Sequence, residues 1–367
     1  MKPFVSIIVA CCDVEPFVRE CLDSVLTQPF REWECLVGVE TSKDDTEAIV
    51  REYAAKDSRF KVFTGPRSGS CSASRNTGID MAQGEYVIFL DGDDSISENS
   101  LQRLHDKIIT SPHGDMYPCA LRVFRSLQKM NGSDSDMVFD AYPDMAMETS
   151  GTEAIIFHPR PIIGSHWMMQ LFIFKRDFLK QHDLKCIHGI NGQDYVFFHQ
   201  AVYFAKHIIP LHEAYYNYRV RPDSVAHSLT PYNAPERFYH SLSIRFRALM
   251  MFYSTVSKAD DFDHRVAAAW GRSWIGKICF EWFFPMRISK VPRQRRLETL
   301  KELFADGFET FEKLRKASFL SARVTGWWIR VFVTHPFWRG TAEVFFKAYF
   351  ALHHFKNSFK KQKDVME

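Results

Sequence analysis

A layered α/β fold is predicted, a mostly parallel sheet flanked by helices with a helical C-terminal extension, and three observations predict it. Over the first hundred residues, short β-branched runs alternate with stretches whose apolar residues recur at helical spacing. Glycines, prolines or acids punctuate these stretches. The 367-residue chain is 46% hydrophobic, enough for one large domain with an appendage or two modest ones.

The elements follow in order. "FVSIIVA" (4–10) is a continuous β-branched run, as a strand covered on both faces requires, and "VEPFVRECLDSVLTQ" after it has helical spacing. "WECLVGV" (33–39) repeats the strand pattern, and "SKDDTEAIVREYAAKD" reads as a helix with Asp44 or Asp45 near its start. "RFKVFTG" is a third strand, "SASRNTGIDMAQ" a short helix closed by Gly84, and "EYVIFLD" a fourth strand. Such alternation implies right-handed crossovers and a sheet whose ligands bind beyond the carboxyl ends of its strands. After residue 100 the alternation weakens. "GSDSD" (132–136) is a polar loop, while "QLFIFKRDFL" and "AYYNYRVR" read as strands or strand–helix junctions. From about Pro235 the pattern is mostly helical, and the prolines of "LTPYNAP" (229–235) mark the boundary. The expected division is 1–230, with a first half 1–104 and a second half 105–230, and then 231–367.

Composition excludes several classes. A formal net charge of +3 gives no electrostatic argument for nucleic acid. The eight cysteines show neither CxxC nor ligand-like spacing with histidine, and read as small buried hydrophobes in a reducing compartment. "MKPFVSIIVACCDVEPF" has the basic start of a signal peptide, but its run is short and strand-like and meets acids where a cleavage site should be. No stretch approaches the length of a membrane span.

The fourth strand ends in Asp91, Gly92, Asp93 and Asp94. Asp91 and Asp93 would emerge together at the carboxyl edge, and carboxylates so close repel unless a cation shares them. Hard oxygen donors suit Mg2+ or Mn2+ bridging to phosphate. Gly92 would let a ligand or metal approach the backbone. The competing reading is an Asp-rich turn, and for Asp94 it is preferred: Asp94 or Ser95 would cap a helix beginning near Glu98.

Residues 4–104 resemble, segment by segment, the inverting family-two glycosyltransferases of GT-A fold. The resemblance rests on "VSIIVACCDVEPFVRECLDSVLTQ" and above all on "SASRNTGIDMAQGEYVIFLDGDD", and it extends more loosely over 165–228. It implies a nucleotide site formed by Ala10, Cys12, Glu15, Glu40, Arg75, Asp91 and Gly92, with Asp91 on the ribose or base and Asp93 on the metal that holds the diphosphate. Arg75 would lie against the nucleotide or its phosphates, or else pair with a nearby acid. The sequence departs from the family where Glu40 replaces an aspartate facing uracil, Cys12 an aromatic that packs on the base, and Ala10 a frequent proline.

In "GINGQDYVFFHQAVYFAK" (189–206) the family's Glu-Asp is Gln193-Asp194. The resemblance implies that Asp194 is the general base; an N-cap is its plainer role. "YYNYRVRPDSVAHS" (215–228) matches a further family segment. Arg219 and Arg221, alternating on a strand, could close over the diphosphate, and His227 could be a further metal ligand or a solvated loop histidine. Trp167 either lines an acceptor pocket or packs in the core.

From Arg315 onward the chain carries ten basic residues against three acids, interleaved with Trp, Phe and Tyr at helical spacing. That pattern suits a helix in a bilayer interface or a helical cap on the domain.

The expectation is a metal-dependent inverting glycosyltransferase that takes a nucleotide sugar, a UDP-sugar for preference. Its acceptor would be a surface polysaccharide or lipid-linked saccharide at the cytoplasmic membrane face, with no nucleic-acid partner. Two rivals remain. A nucleotidyltransferase should carry a Gly-rich basic loop after the first strand, which "ACCDVEP" lacks; a binding or scaffold protein with lost catalysis would explain Cys12, Glu40 and Gln193.

Overall fold

In the computed structural model, the residues described are 2–124, 137–141, 145–157, 168–221, 224, 234–278, 298, 301–302, 308–317, 327 and 329. The chain divides into two compact units, Met1–His227 and Ser228–Glu367.

The first unit alternates β1 (Val5–Cys11), α1 (Glu15–Leu26), β2 (Trp33–Glu40), α2 (Thr46–Lys56), β3 (Phe60–Gly65), α3 (Ser72–Met81) and β4 (Tyr86–Asp91). The short β5 (Ser95–Ile96), α4 (Ser100–Ile108), β6 (Met116–Pro118), β7 (Ala120–Phe124), β8 (Met137–Asp140) and α5 (Gly151–Phe157) follow. It ends with β9 (Phe172–Lys175), α6 (Arg176–Gln181), α7 (Gln193–Phe204) and β10 (Ala214–Arg219).

The main sheet has the order β3-β2-β1-β4-β9-β6. Its first four strands are parallel, and β9 runs antiparallel to both β4 and β6. β2 is buried at all eight positions because helices cover both faces, which is why its sequence does not alternate. "QLFIFKRDFL" is the junction of β9 and α6. The second sheet, β5-β10-β7-β8, is mixed and did not stand out as a sheet in the sequence pattern.

Two local expectations need correction. Gly84 does not close α3, which ends at Met81 with Ala82 extended. Gly84 instead gives its N–H to the Ser6 hydroxyl at 2.9 Å. Nor does Asp94 cap a helix: α4 starts at Ser100 behind Asn99, and Asp94 is used elsewhere, as described below.

At the amino edge of the sheet, Glu34 is 2% exposed and accepts hydrogen bonds from Ser6 Oγ (2.6 Å), Lys61 Nζ (2.7 Å) and the Gln83 N–H (2.7 Å). Burial alone would push its carboxyl up, but Lys61, Ser6 and Gln83 outweigh burial and hold it below the ordinary range.

The second unit contains α8 (Pro235–Val256), α9 (His264–Ile278) and α10 (Phe308–Ala317). Trp270 and Trp274, one helical turn apart on α9, stack at 4.9 Å and are buried. Among the described residues no helix is long and apolar enough to cross a membrane. Most of the basic-aromatic tail beyond Arg315 lies outside the described residues.

Candidate active site

The chain runs from β1 outward to β2 and β3 and then crosses back to β4, so the winding reverses between β1 and β4. At such a point the loops beyond the two strands diverge and leave a crevice at the carboxyl edge. Ala10 and Asp91 are register partners across this gap, and Ala10 also pairs with Gly38 of β2. Three parallel strands, β4, β1 and β2, therefore deliver the carboxylate loop, the Cys12 loop and Glu40 to one edge.

The three carboxylates of that loop have three different surroundings. Asp91 accepts from Arg75 Nη2 at 2.8 Å on one oxygen and from Gln170 Nε2 at 2.6 Å on the other. Asp93 accepts from Arg221 Nε at 2.7 Å. Burial and the neighbouring Asp91 push its carboxyl above the ordinary range. Asp94 is 2% exposed and ties the loop to β10, accepting from the Tyr216 hydroxyl at 2.5 Å and the Arg219 N–H at 2.7 Å. Burial, then Asp93 and Asp91, push Asp94 well up as well. It is a tether between two sheets, neither cap nor exposed ligand.

Gly92 needs a different account from the one its sequence suggests. A Cβ there would meet Cys11 Sγ at 2.7 Å, Val14 Cγ2 at 3.1 Å and the Ala10 carbonyl at 3.2 Å. The missing side chain faces the packed corner between β1 and α1, so glycine serves close packing and not ligand approach.

Arg75 and Asn76 sit side by side on α3 and do separate jobs. Arg75 is 3% exposed and bridges Asp91 to the start of α7. With its amide oxygen turned towards Arg75, Gln193 accepts from Nη1 at 3.1 Å and donates to the Ile190 carbonyl at 3.1 Å. Asn76 holds the segment leading to α7, donating to the Cys186 carbonyl at 2.9 Å and accepting from the Cys186 N–H at 2.8 Å. Gly192 then takes a left-handed φ of 68° to open the helix, so the cap position is glycine's and Asp194 lies in the first turn. Asp194 is close enough to Arg75, Cys71 and Cys186 to act on all three electrostatically. A helix N-terminus favours its ionised form.

The remaining candidates fall into three groups. Glu40 is 4% exposed and its carboxylate is taken by Ser68, at 2.9 Å from the N–H and 2.5 Å from Oγ. Cys12 is half-buried beside it. Glu15 points to the neighbouring loop, accepting from the Asp45 N–H at 3.0 Å. Arg219 ends β10 with its side chain 1% exposed, held by Glu20 at 2.7 Å and the Asp93 carbonyl at 3.1 Å. It supports the loop from within, whereas Arg221, just beyond the strand, reaches Asp93. Trp167 and His227 lie outside the described residues.

Sequence reading missed Gln170, Asn76 and Tyr216, each a common residue type whose partner is 79, 110 and 122 positions away. Only the Ser-Ala-x-Arg-Asn run carried a signal, for Asn76. Cysteine chemistry has no support here. Burial pushes the Cys71 and Cys186 thiols up to about 12, and Cys11 further, so they stay protonated.

Asp93 also fits a divalent cation. It is an oxygen donor whose charge is opposed by burial and by Asp91, and a cationic group, the Arg221 guanidinium, already rests on it. One carboxylate of this kind, completed by phosphate oxygens, is how Mg2+-type sites are commonly built.

A crevice with these donors, a carboxylate at a helix start and a sheet of this order make up a domain of GT-A fold. The family model "Glycosyl transferase family 2" matches residues 6–181, and this stretch is a domain of that family. The chain is 41% identical over 107 residues to the uncharacterized glycosyltransferase EpsJ of Bacillus subtilis, covering 29% of this chain and 31% of that protein. It is 28% identical over 244 residues to the poly(ribitol-phosphate) beta-glucosyltransferase of Bacillus spizizenii, covering 65% of this chain and 35% of that one. The match thus spans about a third of each relative's length. The S. aureus TarS 1-349 structure in complex with UDP-GlcNAc superposes with a TM-score of 0.68 at 21% identity, covering 93% of this chain and 92% of that one, which shows a shared fold.

Proposed function

We infer that this chain transfers a sugar, with inversion, from a nucleotide-diphosphate donor to a saccharide or lipid-linked saccharide acceptor of a surface polysaccharide. The observation that carries the reading is the link from the Asp91–Asp93 loop through Arg75 to the start of α7, where Asp194 sits. Asp194 takes the proton from the acceptor hydroxyl as that oxygen attacks the anomeric carbon opposite the departing diphosphate. Asp91, held by Arg75 and Gln170, presents a fixed carboxylate edge to the nucleoside. Asp93 is the protein ligand for Mn2+ or Mg2+, which when bound supplies positive charge to the leaving group. Arg221 is the neighbouring cation able to turn from Asp93 towards phosphate.

A UDP-sugar is the preferred donor. Support comes from the UDP-GlcNAc complex of the TarS structure, and for a polyol- or glycan-type surface acceptor from the poly(ribitol-phosphate) relative. We place the reaction on the cytoplasmic membrane face, with the basic-aromatic tail as a peripheral contact; binding of the full chain to anionic vesicles, absent on truncation at residue 314, tests that part.

The transfer reading is tested by measuring nucleotide release from UDP- and GDP-sugars with Mn2+ and a panel of acceptors. Release that Asp194→Asn leaves unchanged removes Asp194 as the base. Metal-dependent UDP binding without turnover on any donor and acceptor would favour a binding protein instead.

A further inference from the structure

We propose a second, structural metal site for Zn2+ or a similar borderline divalent cation, formed by His113, Glu148 and His207. His113 Nε2 lies 2.9 Å from one Glu148 oxygen and His207 Nδ1 lies 2.6 Å from the other. The three donor atoms are all within 4.8 Å of one another, and the two imidazoles meet edge to face at 5.1 Å. The two imidazole nitrogens meet different oxygens of Glu148. Tetrahedral Zn2+ with bonds of about 2.0–2.1 Å sets its donors roughly 3.3 Å apart, so the widest donor pair has to close by up to about 1.5 Å. Two imidazoles and one carboxylate leave a fourth position for water. Neutral imidazoles become ligands by carrying their proton on the outward nitrogen, with no other chemistry.

The backbone beneath these side chains is clipped in place. Thr149, next to Glu148, exchanges hydrogen bonds with Ile208, next to His207, at 3.0 and 2.8 Å. Asp115 takes the His207 N–H on its carboxylate at 3.1 Å and gives its own N–H to the His207 carbonyl at 2.9 Å. Three segments far apart in sequence are thus registered before any metal arrives, and the metal would staple the starts of β6 and α5 to the end of α7.

This is not the Asp93 site. Met116 pairs with Phe174, whose neighbour Lys175 pairs with Tyr86 at the amino end of β4. Asp91 is five residues further on, about 17 Å along the strand.

The test uses the untagged full chain, stripped with EDTA and titrated with Zn2+ against a chromophoric chelator in excess Mg2+. One tight equivalent is expected in wild type and in Asp93→Asn. His113→Ala/His207→Ala should weaken it more than about a hundredfold, since loss of a group that only hydrogen-bonds a metal ligand already costs about 10–100-fold. Wild-type protein that takes up no zinc overturns the proposal, as does undiminished binding in the double variant or loss of binding in Asp93→Asn. Co2+ substitution of wild type gives a reading independent of the variants' folding: intense visible bands of four-coordinate cobalt are expected, and their absence overturns the site.

Discussion

Glu34 and Asp93 are both carboxylates at ends of the main sheet, and their surroundings push them in opposite directions. Glu34, at the amino edge, has a lysine, a hydroxyl and a backbone N–H converging on it, and sits below the ordinary range despite burial. Asp93, at the carboxyl edge, is pushed up by burial and by Asp91, with Arg221 only partly offsetting this. The amino edge satisfies its charge from within the fold. The carboxyl edge leaves repulsion unresolved, which is the condition of a site built for a ligand that brings a cation.

The contrast can be broken at either end. The largest effect is expected from Asp194→Asn, which should lower transfer about 10²–10⁴-fold with little change in melting temperature, measured by nucleotide release and calorimetry. Equal losses of activity and stability would assign Asp194 to the fold.

Glu34→Gln should show the reverse. It leaves Lys61 facing a neutral amide, and because the Lys61 side chain is 39% exposed and can turn to water the loss should be about 1–3 kcal/mol, read by urea unfolding. Transfer per folded molecule should be unchanged. The same residue sets an acid limb. Its folded pKa is depressed, so its contribution is fully present above the unfolded value near 4.3 and is lost as pH falls through the lower folded value. Glu34→Gln should flatten stability against pH in that window.

Asp93→Asn carries the opposite sign. A raised folded pKa means that ionisation destabilises the fold as pH rises from the unfolded value near 3.9 through the folded one, so the neutral variant should be at least as stable as wild type at pH 7. A lower melting temperature would show that the Arg221 pair outweighs the repulsion. Tyr216→Phe deprives Asp94 of one donor and should cost about 1–3 kcal/mol. Its second readout is binding of UDP, which should weaken as the Asp91–Asp94 loop loses its tether.

The strand–helix alternation of residues 4–91 was legible because both periods are local: a buried parallel strand is a continuous apolar run, and a covering helix repeats every three to four residues. The same locality let Asp91 and Asp93 be placed together at a strand end. Local pattern misread Asp94 as a cap, because Ser100 opens the helix and the partners of Asp94 come from Tyr216 and Arg219. It misread Gly92 as room for a ligand, because the crowding atoms belong to Cys11 and Val14. Arg219 and Arg221 looked equivalent by alternation, yet one is buried on Glu20 and the other reaches Asp93.

The sequence by itself determined the parallel sheet and the carboxylate cluster at its carboxyl edge, since runs, spacings and such a cluster are properties of neighbouring residues. The division of labour within that edge was decided only by the tertiary structure. Which carboxylate is held by Arg75 and Gln170, which meets Arg221 and which is consumed in joining two sheets depends on partners up to 128 positions away, and hydrogen bonds and burial are set by what the fold brings alongside.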